Sequence, residues 1–325
     1  MKISIIIPVY NEAKLIRECL DALINQEYPR EDYEIVVVND GSTDNTLEVI
    51  RRKQKEAKEK GVEMKIVNLE KNQGRVVARE TGAKNAKYGN LLFIDSRCIA
   101  DKDILKNIKN IDYQPIVGNP IIDFNRSIFD RFGYLIRKKI YHRYFGESLK
   151  PLYITKDNFD EVPKGTAIFF CDKEFFLSSQ LESRSKTVSD DTKLLWNIIQ
   201  KKKILKHPDV KVTYLSRTSL KKEIKHTFER GPKFVDYYLS PKKERFWFFI
   251  FLPIITLIFT ITLIFVNFTY FLYWLALLFL IWIIVSIWFS ENIKDFFIMF
   301  SFLPIIGVSF ELGILKGLIF KLNVR

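Results

Sequence analysis

Two adjacent carboxylates open the run Asp190-Asp191-Thr192-Lys193-Leu194-Leu195-Trp196, whose later residues are apolar at helical spacing. Carboxylates at the mouth of a helix can take up a proton in a reaction, or one of them can simply cap the helix. Three upstream segments favour chemistry. Ile3 to Val9 runs into Tyr10-Asn11-Glu12, Val36-Val37-Val38 into Asn39-Asp40-Gly41-Ser42-Thr43-Asp44, and Leu91 to Ile94 into Asp95-Ser96. In each, an apolar strand ends in acidic or polar residues.

The elements that must position these groups alternate. Isoleucine on both parities of 3–7 is the pattern of a strand covered on both faces, as in a parallel sheet. Asn11 offers an N-cap for a helix carrying Ala13, Ile16, Leu20, Leu23 and Ile24. A second strand over 33–38 is followed by a helix capped by Ser42 or Thr43 and stopped at Gly61. A strand over 64–69, a helix over 75–86 and a strand over 90–94 complete the pattern of a doubly wound, mostly parallel α/β sheet. Its ligand belongs beyond the carboxyl ends of the strands, where all the acidic clusters except Asp190-Asp191 fall. After Asp95 the rhythm loosens: 115–122 and 165–171 read as strands, and 127–145 as a basic amphipathic helix. That helix can lie on a membrane surface or pack on the sheet with snorkelling basic residues, and the residues leave both open.

Composition changes sharply near Arg245 of the 325 residues. Beyond it, 246–265 and 270–289 are almost uninterrupted apolar and aromatic residues, each long enough to cross a hydrocarbon core of ~30 Å. Lys242, Lys243 and Arg245 precede the first crossing, which places the N-terminal head at the cytoplasmic face of a multi-pass cell-membrane protein. Asn267-Phe268-Thr269 matches a glycosylation acceptor, but a tight membrane turn would leave it inaccessible. The stretch 296–320 contains Pro304, Glu311 and Lys316. It is read as a third crossing, with a re-entrant segment or an interfacial helix as alternatives. A net charge of +13 finds its partner in the anionic leaflet, and basic residues without aromatic interleaving exclude a nucleic-acid reader. Cys19, Cys98 and Cys171 have no metal-ligand spacing and read as buried thiols of a reducing compartment; His142 and His207 read as structural. The apolar run after Lys2 is too short for a signal peptide.

A dinucleotide fold fails at Pro8-Val9-Tyr10-Asn11-Glu12, which lacks Gly-x-Gly-x-x-Gly, and no P-loop occurs. The ordered set Ile6-Ile7-Pro8-Val9-Tyr10-Asn11-Glu12, Val37-Val38-Asn39-Asp40-Gly41-Ser42-Thr43-Asp44, Asn72-Gln73-Gly74 with Ala78-Arg79 and Gly82, Phe93-Ile94-Asp95-Ser96, and Asp190-Asp191 resembles the inverting family 2 glycosyltransferases of the GT-A fold. The resemblance covers roughly residues 2–231 and implies a head over 1–240, with the helical membrane region over 246–320.

By that resemblance Asp40 accepts a hydrogen bond from the nucleotide base, Pro8 to Tyr10 pack the base and ribose, and Glu12 contacts the ribose or braces its loop. Arg79 reaches Asp40 or the diphosphate, or makes a structural ion pair. Asp95 matches the first acid of the family's Asp-x-Asp motif, which holds the ribose and a divalent cation, Mg2+ or Mn2+, bridging the diphosphate. The third position is Arg97 instead of aspartate. This leaves open residual metal binding through Asp95, metal independence with Arg97 as the cation, or loss of activity. Asp191 matches the general base that deprotonates the acceptor hydroxyl, and Asp190 tunes it or caps the helix. His226-Thr227-Phe228-Glu229-Arg230-Gly231 stands where processive members carry Gln-x-x-Arg-Trp. Only Arg230 is kept, to clamp the diphosphate or an acceptor, so a single transfer is favoured over polymer synthesis. Val162 to Thr166 lines the acceptor side. The expectation is a membrane-anchored transferase moving one sugar from a nucleotide-diphosphate donor to a lipid-linked or glycan acceptor. The alternative is a non-catalytic sugar-nucleotide scaffold that has lost its metal site.

Overall fold

The computed structural model describes residues 1–144, 149–181, 188–217 and 219–323. In chain order the elements are β1 (Ile3–Val9), α1 (Ile16–Ile24), β2 (Tyr33–Asn39), α2 (Thr46–Glu59), β3 (Glu63–Asn68), α3 (Arg75–Asn85), β4 (Asn90–Ile94), β5 (Cys98–Ala100), α4 (Ile104–Lys109) and β6 (Ile116–Ile121). There follow α5 (Ile128–Ile140), β7 (Leu152–Ile154), β8 (Ile168–Asp172), α6 (Lys173–Leu177), α7 (Asp190–Lys201), β9 (Ile204–Tyr214), α8 (Leu220–Tyr238), α9 (Trp247–Val266), α10 (Phe268–Phe289) and α11 (Ile293–Asn323). They form two compact units, one holding the sheet with α1–α4, α6 and α7, the other α5 and α8–α11.

The sheet of the first unit runs β3-β2-β1-β4-β8-β6-β9-β5, with β7 on β9. Its first four strands are parallel, as the βαβ rhythm requires. The other half departs from a mostly parallel sheet: β8 is antiparallel to β4 and β6, and β5 and β7 are antiparallel to β9, with β6 parallel to β9. β1 and β2 are buried along their whole lengths, and Ile3, Ile5, Ile7, Leu20, Leu23, Ile35 and Val37 join one core. The three cysteines are free and buried, and burial, with Asp95 nearby, pushes the Cys19 thiol up to about 12.

Asn11 does not cap α1, which begins at Ile16. With φ at 52°, it turns across the sheet end, and its Oδ1 accepts from Thr43 N at 2.8 Å, so it braces the turn after β2. Ser42 and Thr43 likewise do not cap α2: Ser42 Oγ accepts from Asn11 N, and Asp44 Oδ1 accepts from Thr46 N at the start of α2. Gly41 holds φ at 66°, and a Cβ there would lie 2.4 Å from the Lys71 carbonyl carbon.

In the second unit, α5 is shorter than the expected 127–145, and Phe145 lies outside the described residues. Within this unit α5 packs on α11, with Phe129 and Phe132 against Phe302. Its Arg131 donates to Asp295 at 2.8 and 2.6 Å and to Glu291 at 2.8 Å. The helices α9, α10 and α11 are each long and apolar enough to cross a membrane. Asn267 ends α9 and caps α10, its Oδ1 accepting from Thr269 N and Tyr270 N, so the acceptor tripeptide is a helix cap. The side chains of Lys242 and Arg245 lie outside the described residues. The stretch expected at 296–320 is one continuous helix through Pro304.

Along α8 and α11 the backbones touch. A Cβ on Gly231 would lie 2.2 Å from the Gly313 carbonyl carbon, and one on Gly317 would lie 2.7 Å from Pro232 Cα. Gly231 is therefore required by packing.

In the first unit α3 meets the sheet as closely: a Cβ on Gly82 would fall 2.3 Å from Ile6 Cγ2 and 3.2 Å from Val38 Cγ2, both on fully buried side chains. Gly82→Ala is expected to cost ~1–3 kcal/mol by overpacking. The melting temperature of the purified protein should fall by several degrees, whereas Gly89→Ala, with nothing within 4 Å, should leave it nearly unchanged.

Candidate active site

The site is built by one turn, two strand ends and two helix starts. Asp40, immediately after β2 and buried, accepts from Gln73 N at 2.7 Å through Oδ1 and from Gly74 N at 2.9 Å through Oδ2. Gly74 has φ at 94° and precedes α3, so Asp40 fixes where α3 begins. α3 then presents Arg75 and Arg79, four residues apart and hence on one face.

Arg79 is the centre. Its side chain is 3% exposed, yet it is bonded at both ends: Nη2 donates to Asp95 Oδ1 at 3.1 Å, and Nη1 to Asp191 Oδ1 at 2.6 Å. Asp95 follows β4, and Asp191 lies in the first turn of α7. Arg75, half exposed, donates through Nη2 to Asp190 Oδ1 at 2.9 Å and brings Nη1 to 3.4 Å from Asp191 Oδ2. Thr166 Oγ1 donates to Asp191 Oδ1.

Burial would raise the pKa of Asp191. The Arg75 and Arg79 guanidiniums and the hydrogen bonds from Thr166 and Arg79 outweigh it and hold the carboxyl far below the usual range. Its Oδ1 is doubly bonded, whereas among the described residues Oδ2 has only the loose Arg75 contact. Asp190, nearly buried, is held by the same pair of arginines.

Asp95, Asp190, Asp191 and Arg79 are thus brought together. Arg79 meets Asp95 and Asp191 directly, whereas Asp40 is joined to them only through the start of α3. Pro8 is buried within β1, paired with Val38, and the exposed ring at that strand's end is Tyr10. Arg97 is not turned outward: it is nearly buried, with Nε 3.1 Å from Glu12 Oε1 but poorly aligned, and its Nη1 makes no hydrogen bond. Glu12 is thereby a partner of Arg97. Arg230 is an exposed residue of α8 in the second unit. His207 Nδ1 accepts from Asp209 N.

Arg75 and Thr166 were not singled out by type. Arg75 carried a signal in its spacing from Arg79; Thr166 carried none beyond its place in the segment expected to line the acceptor side.

Among the described residues no three His, Cys, Asp or Glu side chains form a metal cage. Three carboxylates face two guanidiniums, however, so the cluster keeps one negative charge. Asp95, partly exposed at the edge of this cluster, is the carboxylate through which a divalent ion would be held.

The model of "Glycosyl transferase family 2" matches residues 4–171. A dolichyl N-acetyl-alpha-D-glucosaminyl phosphate 3-beta-D-2,3-diacetamido-2,3-dideoxy-beta-D-glucuronosyltransferase of Methanococcus voltae is 32% identical over 249 residues, 70% of this chain and 71% of that protein. The poly(ribitol-phosphate) beta-N-acetylglucosaminyltransferase TarS of Staphylococcus aureus is 36% identical over 108 residues, 33% of this chain but only 18% of TarS. Among solved structures, mannosyltransferase PcManGT from Pyrobaculum calidifontis, in complex with GDP-Man and Mn2+, superposes with a TM-score of 0.58 at 16% identity. The match covers 98% of this chain and 87% of that one. TarS 1–349 in complex with UDP-GlcNAc gives 0.52 at 18% identity over 73% and 67% of the two chains. The structures bear out the GT-A-type head followed by apolar helices, and the sequence matches settle membership: this chain belongs to glycosyltransferase family 2.

Proposed function

We propose that the chain is a membrane-anchored inverting glycosyltransferase that moves one sugar from a nucleotide-diphosphate donor to a hydroxyl of a lipid-linked or glycan acceptor. The observation that carries this reading is the buried guanidinium of Arg79 holding Asp95 and Asp191 at once. A donor-binding acid and a base are thereby within reach of one ligand. The name of the Methanococcus voltae relative, which specifies a dolichyl-phosphate-linked sugar, supports a lipid-linked acceptor. The apolar helices support anchoring at the bilayer. The basic residues before α9 support a cytoplasmic head.

In this reading Tyr10 packs the base and ribose, and Asp40 bonds the base while shaping the start of α3. Arg75, the solvent-facing arginine, turns to the diphosphate. A magnesium or manganese ion held by Asp95, when bound, supplies positive charge to the leaving diphosphate. The acceptor oxygen attacks the anomeric carbon from the face opposite the diphosphate, and its proton passes to Asp191 Oδ2. As the new carbon–oxygen bond forms, the bond to the diphosphate breaks and its electron pair leaves with the nucleotide, inverting the centre. Thr166 and Arg79 keep Oδ1 fixed, so Asp191 does not turn away as it takes up the proton. A sugar hydroxyl, unlike a phosphate oxygen, needs that base.

Asp191→Asn keeps the shape and removes the base. With labelled UDP- or GDP-sugars, nucleotide release and product should fall by about 10²–10⁴-fold while donor binding persists. Unchanged turnover would sink the assignment, and wild-type binding without turnover would favour the scaffold.

Removing a cation beside a carboxylate disfavours its charged form, so Arg75→Ala should raise the Asp191 pKa. The acid limb of the kcat/KM profile, which reports groups of the free enzyme, should move to higher pH. A limb that stays in place would put the base elsewhere.

The charge balance makes donor binding depend on a divalent ion. The thermal stabilisation given by a nucleotide-sugar should disappear in EDTA, return with Mn2+ or Mg2+, and be weakened by Asp95→Asn. Full stabilisation in EDTA would show that protein cations suffice.

A further inference from the structure

The helix α11 has the length and composition of a membrane crossing, yet its neighbours within its own unit place both of its ends at one face. α9 and α10 form an antiparallel hairpin about Asn267, with Trp274 Nε1 donating to Thr260 Oγ1 at 2.8 Å across it. If the hairpin is embedded, α10 ends at Phe289 on the face where α9 entered at Trp247, and α11 starts from that entry face at Ile293.

The far end of α11 returns to the same level. Lys321 Nζ donates to the carbonyl of Leu239, which precedes α9. Ile314 is buried with Val235 and with Ile250 in the first turn of α9. A helix of 31 residues, ~46 Å long at 1.5 Å per residue, cannot begin and end at one face while crossing.

Its surface agrees. Phe297, Ile305, Val308, Leu312 and Ile319 recur at helical spacing and are 41–62% exposed, an apolar stripe extended at the helix ends by Ile293 and Phe320. Of the exposed charges, Glu311 and Lys316 lie at the edges of that stripe and Lys294 stands in the first turn of the helix. The opposite side of α11 packs on α8, where Ser309 Oγ donates to the Ile224 carbonyl at 2.7 Å. The outer surface of α8 exposes Lys221, Lys222, Lys225, Glu229 and Arg230. Were α11 a crossing, these charges would be drawn into hydrocarbon with it.

We propose that α11 lies in the plane of the entry-face leaflet, its apolar stripe in the upper acyl region and its flanking charges among anionic headgroups, so that the chain crosses the bilayer only twice. Near the start of α11, Lys139 of α5 stacks over the Trp288 ring at 5.5 Å, an aromatic and a cation at the level where headgroups begin. The inference rests on the membrane reading above but not on the transferase reading.

Spin labels on single cysteines placed at Phe297, Ile305, Leu312, Ile319 and, as a depth reference, Leu277 of α10 test it in vesicles containing anionic lipid. The native thiols are buried and can stay. Oxygen and nickel-chelate accessibilities should place all four α11 labels at one shallow depth, ~5–10 Å below the surface. Leu277 should sit near the bilayer centre, ~15 Å deep. A profile along α11 that deepens and then shallows, with residue 319 open to reagent from the far face, would make it a crossing and overturn the proposal. A shallow Leu277 would remove the embedded hairpin and the proposal with it, while sugar-transfer assays in detergent would still report on the active site.

Discussion

A guanidinium taken out of water must be paired, and Arg79 is the buried cation on which the first unit depends. Its partners come from the end of β4 and the start of α7, nearly a hundred residues apart, so one charge-pairing requirement joins the parallel and antiparallel halves of the sheet. Removing one partner of such a pair typically costs about 3–5 kcal/mol, because the other is left charged and buried. The Nε of Arg79 makes no hydrogen bond, so the pairing is incomplete even with both acids in place. Site geometry and fold stability are therefore the same interaction seen from two sides.

That arrangement sets a chemical problem. A carboxylate held far below its usual pKa is a weak base, and Asp191 is so held by the very arginines that position it. The two arginines are unequal. Arg79 is enclosed, with nowhere to go, whereas Arg75 is half exposed and makes the longer contact with Asp191. In the proposed reaction an anionic diphosphate would compete for Arg75 first, and each step of that exchange would return basicity to Oδ2. Arrival of the donor would then prepare the base for the acceptor. Arg97 stands nearly buried beside Glu12, with its Nη1 making no hydrogen bond among the described residues.

Much of this was legible in the residues. Runs of β-branched residues on both parities mark strands buried on two faces, and β1, β2 and β4 follow them closely. Asp95 and Asp191 stand out because acids after apolar strands and at helix mouths need a reason. What was not legible is where polar side chains spend their hydrogen bonds. Asn11 has the composition of a cap and serves instead as a brace 32 residues away, and Asp40 is divided between two backbone amides. Such partners lie across the sheet end, and no local pattern specifies them. The antiparallel strands after β4 were equally hidden, since short segments joined by irregular loops carry no directional signal.

The helical unit shows a second reason for such misses: length and apolarity measure what a helix can do, while packing decides what it does. Gly231, Gly313 and Gly317 carry no chemistry, yet they let α8 and α11 approach until backbone meets backbone. Any side chain at 231, a tryptophan included, would meet the Gly313 backbone, since a Cβ there would already lie 2.2 Å from its carbonyl carbon. The absence of that ring and the seating of an apolar helix along a charged one thus have a single cause. A motif position that reads in the sequence as a missing ring is, in three dimensions, a backbone contact between α8 and α11.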